Sequence, residues 1–439
     1  MLNEMIKHSL TDQIPQSDRD FYGALRQSRR AFIFECKRRS PSEGTLCQEY
    51  PIVELAKTYE PFCDVISVLT NQRYFDGSLL HLKQVRDNVK VPVLCKDIIV
   101  SSHQVILARH YGADAILLML SVLDDETYLQ CRQIAEQFNM GILTEVVTEQ
   151  ELFRAKQLNA KAIAVNHRDL NTLIVDKNRV IHLANHFPTD TIMIAASGIN
   201  SHQDVLRIAP FVNGFLIGSI LSKSQDPAQT LRELIYGPVK ICGLTQKEDS
   251  LAALEQGATY GGLIFVPSSK RCLTLLQAQE VMKGAKLRYV GVFAMQPIDM
   301  IVTLATNLQL FAVQLHGDEP PEYIKDLRNV LPLCCQIWLA ISPQRPLPVS
   351  LMEGIDKYVI DNMSTTQRGG TGNTFEWQTV RHYGMRQHCL LAGGINPTNV
   401  ISAKQTGLWG LDINSGIECG SGVKDPLLLK QLFLNLRGA

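Results

Sequence analysis

The stretch IAASGINSHQDVLRIAPFVNGFLIGSIL (residues 194–221) is answered later in the chain by LLAGGINPTNVISAKQTGLWGLDINSGI (residues 390–417). Ser197-Gly198-Ile199-Asn200 stands 196 positions before Gly393-Gly394-Ile395-Asn396, and Gly214…Ser219 stands the same 196 before Gly410…Ser415. In each copy an apolar run ends in Ser/Gly-Gly-Ile-Asn, a helical stretch follows, and a second apolar run ends in Gly/Asn-Ser. Strands 7 and 8 of a (β/α)8 barrel build a phosphate cup from backbone N–H groups in this way. Glycine suits such a cup because a side chain would hold the phosphate away from the amides. A matched internal spacing inside a matched offset favours two copies of one unit over two chance glycine-rich turns.

At 439 residues the chain is too long for one hydrophobic core, and half of it suits a compact (β/α)8 barrel of roughly 220 residues. The expected architecture is therefore α/β, two tandem TIM barrels, with domains at 1–238 and 239–439. Tyr236-Gly237-Pro238 is the breaker between them. Lys+Arg and Asp+Glu balance at 43 each, which argues against a nucleic-acid or membrane-surface role based on bulk charge. The 11 cysteines are scattered without a C-x-x-C pair, so free thiols are expected and a disulfide framework or zinc site is not. The opening MLNEMIKHSLTDQ lacks a signal-peptide apolar core, and no apolar stretch is long enough to cross a bilayer, so a cytoplasmic protein is expected.

A helical stretch over 18–30 precedes the first barrel, and short apolar runs then alternate with helical ones. The runs are AFIFECK (31–37), DVISVLT (64–70), VPVLCKD (91–97), AILLML (115–120), MGILTEV (140–146), AIAVN (162–166), TIMIAASG (191–198) and GFLIGS (214–219). A second set follows: VKICGLT (239–245), YGGLIFV (260–266), RYVGVF (288–293), FAVQLHG (311–317), QIWLAIS (336–342), KYVIDN (357–362), CLLAGG (389–394) and GLDINSG (410–416). Continuous apolar runs mark strands covered on both faces, as in a parallel barrel. Polar residues cluster at the C-terminal ends of these runs: Glu35, Lys37, Lys96, Asp97, Glu145, Asn166 and Ser197 in the first half, then Cys242, Arg271, Gln314, His316 and Asp361 in the second. Any one of them can be a loop residue capping a helix, but together they outline the face on which barrel active sites form. Glu35 and Lys37, two apart on one strand, share a face.

The motifs FIFECKRRSPSEG (32–44), VLTNQRYFDGS (68–78), PVLCKDIIV (92–100), LLMLSVLDD (117–125), GILTEV (141–146), VNHRDL (165–170), ASGI (196–199) and GFLIGS (214–219) resemble indole-3-glycerol-phosphate synthase along the whole first half. That family closes an indole ring on 1-(2-carboxyphenylamino)-1-deoxyribulose 5-phosphate with loss of CO₂ and water. The resemblance implies Lys96 as general acid and Glu145 as base, with Glu35 and Lys37 assisting at the reacting hydroxyl and the substrate's charged groups. It implies Asn166 and Arg168 as substrate holders, and Ser197, Gly198, Gly218 and Ser219 as the phosphate cradle. Burial and neighbouring carboxylates push the Lys96 pKa in opposite directions, and the sequence leaves the winner open. Two departures stand out. Ala196 occupies the place of the family's usual Glu at the end of strand 7, and Asn71 replaces a residue that is often charged.

From residue 239 onward KICGLT, GGLIFVPSSKRCLT, VGVF, VQLHGDE, KYVIDN, GGTGNTFEW, LLAGGI and LDINSGIE resemble phosphoribosylanthranilate isomerase. That reaction converts the aminoaldose N-(5-phosphoribosyl)anthranilate into the aminoketose by an Amadori rearrangement. The resemblance implies Asp361 as the acid that opens the ring and Cys242 as the base at C2. It also implies Arg271 as the partner of the anthranilate carboxylate, and Gly393, Gly394, Asn414, Ser415 and Gly416 as the phosphate site, with Gln314 and His316 lining the substrate. An ordinary Cys, with a pKa near 8.5, is a weak base at neutral pH unless its surroundings lower that value, and a loop at 369–372 is expected to cover Asp361. Taken alone, an apolar-flanked cysteine is more often a core residue.

The expected protein is thus a bifunctional enzyme of tryptophan biosynthesis, working as a monomer on phosphorylated anthranilate sugars, with no metal or redox cofactor. The alternatives are a chain with only the isomerase barrel fully active, and a catalytically silent phosphate-sugar scaffold. The joint presence of Lys96, Glu145, Cys242 and Asp361 separates an enzyme from a scaffold, since binding alone does not need acid and base groups.

Overall fold

The computed structural model describes residues 14–169, 172–187, 189–344, 346, 348–362 and 376–438. It divides into two compact units, residues 1–234 and 235–439. Each unit contains one closed barrel of eight parallel strands.

In the first unit the strands are β1 (Ala31–Cys36), β2 (Val65–Leu69), β3 (Val93–Lys96), β4 (Ala115–Met119), β5 (Gly141–Val146), β6 (Ala162–Asn166), β7 (Ile192–Ala196) and β8 (Gly214–Ile217). β1 closes the barrel against β8, with Ala31 opposite Gly214 and Ile33 opposite Leu216. Ala31, Ile33, Val65, Leu94, Leu117, Leu143, Ala164, Ile194 and Leu216 pack into one inward-facing core. Strand parity then fixes what lies above them: Glu35, Lys96, Glu145, Asn166, Ala196 and Gly218 follow core residues by two positions and face the lumen at its C-terminal end. The helical stretch expected over 18–30 is shorter, Phe21–Gln27, because Asp20 caps it by accepting from the amide of Gly23. Its Phe21 and Leu25 join the barrel core, each contributing about 1.5–3 kcal/mol by burial. Phe21 lies directly over Gly141, the first residue of β5, so the helix closes the end of the barrel opposite the polar mouth. There Asp114 accepts from Ser17, Arg86, Arg109 and the amide of Val93, a set of charges that ties the closing segment down.

The second unit contains β9 (Val239–Ile241), β10 (Tyr260–Ile264), β11 (Arg288–Phe293), β12 (Ala312–Leu315), β13 (Gln336–Ile341), β14 (Lys357–Ile360), β15 (Cys389–Leu391) and β16 (Gly410–Ile413). Among the described residues no helix plugs the end of this barrel opposite its mouth. Tyr260, Phe311, Trp338 and Trp409 pack together there in edge-to-face and tilted pairs, with ring centroids 5.3–6.5 Å apart. Among the described residues no α-helix links β13 to β14, and the link from β14 to β15 carries only the 3-10 turns Trp377–Val380 and Arg386–His388.

All sixteen runs singled out in the sequence contain a strand, but most strands stop short of the C-terminal end of the run. VKICGLT, for instance, is a strand only to Ile241. The residues past that point turn out of the ladder and carry the polar groups. All eleven cysteines are free thiols. Among the described residues, no helix is long and apolar enough to cross a membrane.

Candidate active sites

At the mouth of the first barrel Glu35, 1% exposed, lies between two ammonium groups: Lys37 Nζ is 2.8 Å from Oε1 and Lys96 Nζ is 2.6 Å from Oε2. Burial alone would raise the Glu35 pKa, but the two lysines overcome it and hold the carboxyl at about 2. Lys96 experiences the same contest. Burial works against its charge, yet Glu35 and Glu145 leave its pKa above the ordinary lysine value, which settles the question the sequence left open. Glu145 shows the reverse balance. Burial outweighs Lys96 and the 3.1 Å hydrogen bond from Asn166 Nδ2, so its pKa is raised.

These five residues come together as expected, and Arg168 does not join them. Its guanidinium donates to the carbonyl of Leu173 at 3.0 Å, within its own loop. Ser197 and Gly198 both adopt left-handed backbone, φ +68° and +72°. That conformation is uncommon for serine and costs of order 1 kcal/mol, as at many ligand-binding turns. Gly218 is required by space, since a Cβ there would lie 2.5 Å from Glu35 Oε1. Ser219 opens the short helix Ser219–Ser222 directly after it. Ala196, 2% exposed, faces the lumen between Asn166 and Leu216 in register.

In the second barrel Cys242 lies just past β9, anchored by its amide to the carbonyl of Ile413 at 2.8 Å, with its side chain among Ile264 and Val292. Burial pushes the thiol pKa up despite the neighbouring Lys240 ammonium. Gln314 and His316 stand two apart on the inward face, with Gln314 Nε2 3.2 Å from His316 Nδ1. His316 Nε2 lies 3.4 Å from Asp361 Oδ2, an ion-pair distance without hydrogen-bond alignment. Gly393, at φ +87°, brings its Cα against Asp361, and an added Cβ would sit 3.0 Å from Oδ1. Gly394 follows at φ +68°, repeating the left-handed pair of the first barrel. Gly416 is pressed against the carbonyl of Ile395, and Ser415 opens the 3-10 turn Ser415–Ile417. The covering loop expected at 369–372 lies outside the described residues.

Arg271 differs from the simple expectation of an open carboxylate site. Its Nε and Nη2 donate to Glu418 at 2.8 and 2.6 Å, and Lys424 Nζ donates to the same carboxylate at 2.8 Å and to Asn414 Oδ1 at 3.1 Å. Glu418 uses two of the five N–H groups of the guanidinium. Sequence reasoning missed Glu418, Lys424, Lys240 and Asp412. For the last two a signal existed: each is a charged residue inside an apolar strand, two positions before a site residue, Cys242 and Asn414. Among the described residues no cluster of three or more His, Cys, Asp or Glu is placed to hold a metal ion.

Two closed barrels, each with ionisable side chains gathered at its mouth beside a glycine turn, define a tandem (β/α)8 enzyme with a site in each barrel. Residues 2–234 match the family model of indole-3-glycerol phosphate synthase, and residues 239–435 match that of N-(5'-phosphoribosyl)anthranilate isomerase. The tryptophan biosynthesis protein TrpCF of Vibrio cholerae is 46% identical over 97% of this chain and 90% of its own length. That of Haemophilus influenzae is 45% identical over 96% and 91%. The solved phosphoribosyl anthranilate isomerase of Thermus thermophilus aligns with 45% of this chain and 98% of its own at 28% identity and a TM-score of 0.41. The chain belongs to the TrpCF family of bifunctional tryptophan-biosynthesis proteins. Its second barrel isomerises N-(5'-phosphoribosyl)anthranilate to the aminoketose, and its first barrel decarboxylates, cyclises and dehydrates that product to indole-3-glycerol phosphate.

Proposed function

We propose that Lys96 is the general acid of ring closure and Glu145 its base. The observation that carries this reading is the Lys37–Glu35–Lys96 arrangement, in which a carboxylate ionised at neutral pH keeps Lys96 charged at the lumen. A charged ammonium can donate to the carbonyl oxygen as the anthranilate ring carbon attacks, and to the hydroxyl that leaves as water. Glu145, with its raised pKa, is the better base of the two carboxylates and takes the departing proton. Lys37 meets the substrate carboxylate, Asn166 orients Glu145, and Ser197, Gly198, Gly218 and Ser219 receive the phosphate. Arg168 contributes only if its loop rearranges on binding.

In the second barrel Asp361 protonates the ring oxygen so that the furanose opens to an imine, and Cys242 removes the C2 proton to give the enolamine. Arg271 binds the anthranilate carboxylate with the N–H groups that Glu418 leaves over. Gln314 and His316 line the sugar, while Gly393, Gly394, Asn414, Ser415 and Gly416 receive the phosphate. Because each barrel has its own set of groups, pieces 1–238 and 239–439 fold separately, and the chain acts in the cytoplasm as a monomer on small phosphorylated substrates, without nucleic acid or membrane. Phosphoribosylanthranilate supplied to the intact protein is converted to indole-3-glycerol phosphate, with transient aminoketose. Loss of anthranilate fluorescence without aminoketose formation overturns the assignment.

A further inference from the structure

Lys240 is fully buried, and its ammonium makes three contacts: Asp412 Oδ2 at 2.8 Å, Gln314 Oε1 at 2.8 Å and Cys242 Sγ at 3.2 Å. A lysine in a barrel interior carries a large desolvation cost, and an apolar residue would fill the space without it. Asp412 does not make the arrangement a closed ion pair. Its second oxygen, Oδ1, is buried without a hydrogen-bond partner, and the third arm of the ammonium is directed at sulfur. Gly262 on the neighbouring strand leaves room for the sulfur, since a Cβ there would lie 2.7 Å from Sγ.

We propose that Lys240 is a positioning residue for the isomerisation, with Asp412 and Gln314 aiming its ammonium so that it holds the Cys242 sulfur at the lumen and stabilises its thiolate. This rests on the reading of Cys242 as the base. In the step it serves, the C2–H bond breaks, the proton goes to sulfur, and the electron pair forms the C1–C2 double bond as the C=N electrons move onto the already protonated imine nitrogen, giving the enolamine. The charged groups facing the sulfur are Lys240 on β9 just before it, Asp412 on β16, and Lys424 and Arg271 from the loops above; Ile264 and Val292 supply the apolar wall. Lys240 favours the thiolate and Asp412 disfavours it, so the two partners of one ion pair have opposite effects on sulfur.

That opposition gives a test that a purely structural role fails. The pH dependence of iodoacetamide alkylation at Cys242 is followed in the full-length protein by peptide mass spectrometry, because Cys272, Cys334 and Cys419 are exposed and also react. Lys240→Met moves the alkylation midpoint up by about one pH unit or more, and isomerase kcat falls about 100-fold with a smaller change in KM. Asp412→Asn moves the midpoint down. If Lys240→Met does not fold, Lys240→Met/Asp412→Asn removes both charges, and its midpoint lies above that of Asp412→Asn alone. Midpoints that stay at the wild-type value, or that move in the same direction in both single variants, overturn the proposal. Synthase activity reports on the integrity of the preparation. Undiminished isomerase kcat in Cys242→Ala removes the base assignment itself, whatever the Lys240 variants do.

Discussion

At the mouth of the first barrel one buried carboxylate, Glu35, sits between two ammonium groups; inside the second, one buried ammonium, Lys240, sits between a carboxylate, an amide and a thiol. The scaffold and the left-handed turn after the seventh strand are shared, and the charge pattern is inverted. The ring closure proposed for the first barrel needs a donor that is protonated at neutral pH, and Glu35, held at about 2, keeps Lys96 in that state at some cost in acid strength. The isomerisation proposed for the second barrel uses a thiol as base, and the ammonium opposes the burial that raises the pKa of that thiol. The lesson is that a parallel barrel leaves the polarity of its lumen free, because inward positions near the C-terminal ends are fixed by strand parity and not by residue type.

The largest break in this comparison is expected at Lys96. Lys96→Met removes the acid and leaves Glu35 with one cation, so synthase kcat falls by about 10⁴-fold while aminoketose still accumulates from phosphoribosylanthranilate. Product analysis by chromatography checks it, and continued indole formation at the wild-type rate rules out Lys96 as the acid. Asp361→Asn is the counterpart in the second barrel. An amide cannot supply the ring-opening proton, so isomerase kcat falls by about 10³-fold, and synthase activity measured with added aminoketose is unchanged. Loss of both activities shows that the two sites are coupled.

Next in size is a stability effect of Glu35. Its folded pKa, about 2, lies below the ordinary 4.5, so its ionised form stabilises the fold; that contribution is fully present above pH 4.5 and is lost as the pH falls toward 2. The difference corresponds to about 3 kcal/mol. Glu35→Gln removes it, and acid unfolding followed by circular dichroism then starts from a lower stability and loses less of it over that pH range. A smaller effect is expected at the glycine beneath the same carboxylate. Gly218→Ala places a methyl group 2.5 Å from Oε1, and relieving a clash of that kind costs about 1–3 kcal/mol. The carboxylate shifts from its two lysines, and synthase kcat/KM drops about 10- to 100-fold with the isomerase unaffected.

The sixteen strands were legible because both faces of each are covered, which turns them into continuous apolar runs that stand out from the polar helices. Their C-terminal limits were not: in VKICGLT and KYVIDN the ladder ends before Cys242 and Asp361, and hydrophobicity carries no signal for that. The Glu35–Lys37 pair was legible from period-two spacing. Lys240 was legible only through its spacing of two from Cys242, because by itself a lysine in a three-residue strand looks solvent-facing. The Arg271–Glu418 pair joins residues 147 apart and arises only when the barrel closes, so it left no local trace.

Ala196 offers the smallest expected effect and the sharpest reading of how far the first site has been re-tuned. It faces the lumen in register with Asn166, whose amide already orients Glu145, so a glutamate at 196 places a new carboxylate within the same ring of polar groups. Two consequences compete. A hydrogen bond that the substrate donates to that carboxylate is worth about 1.5 kcal/mol at the low end for a charged group, or about tenfold in kcat/KM. A further negative charge also pushes the Glu145 pKa higher, which strengthens it as a base while reducing its ionised fraction at acid pH. Ala196→Glu therefore raises synthase kcat/KM about tenfold near neutral pH and moves the acid limb of the rate profile to higher pH, with the isomerase unchanged. A lower kcat/KM in a folded Ala196→Glu protein shows instead that the site has been rebuilt around the alanine, with the apolar side chain of Leu216 beside it leaving no polar partner for a carboxylate.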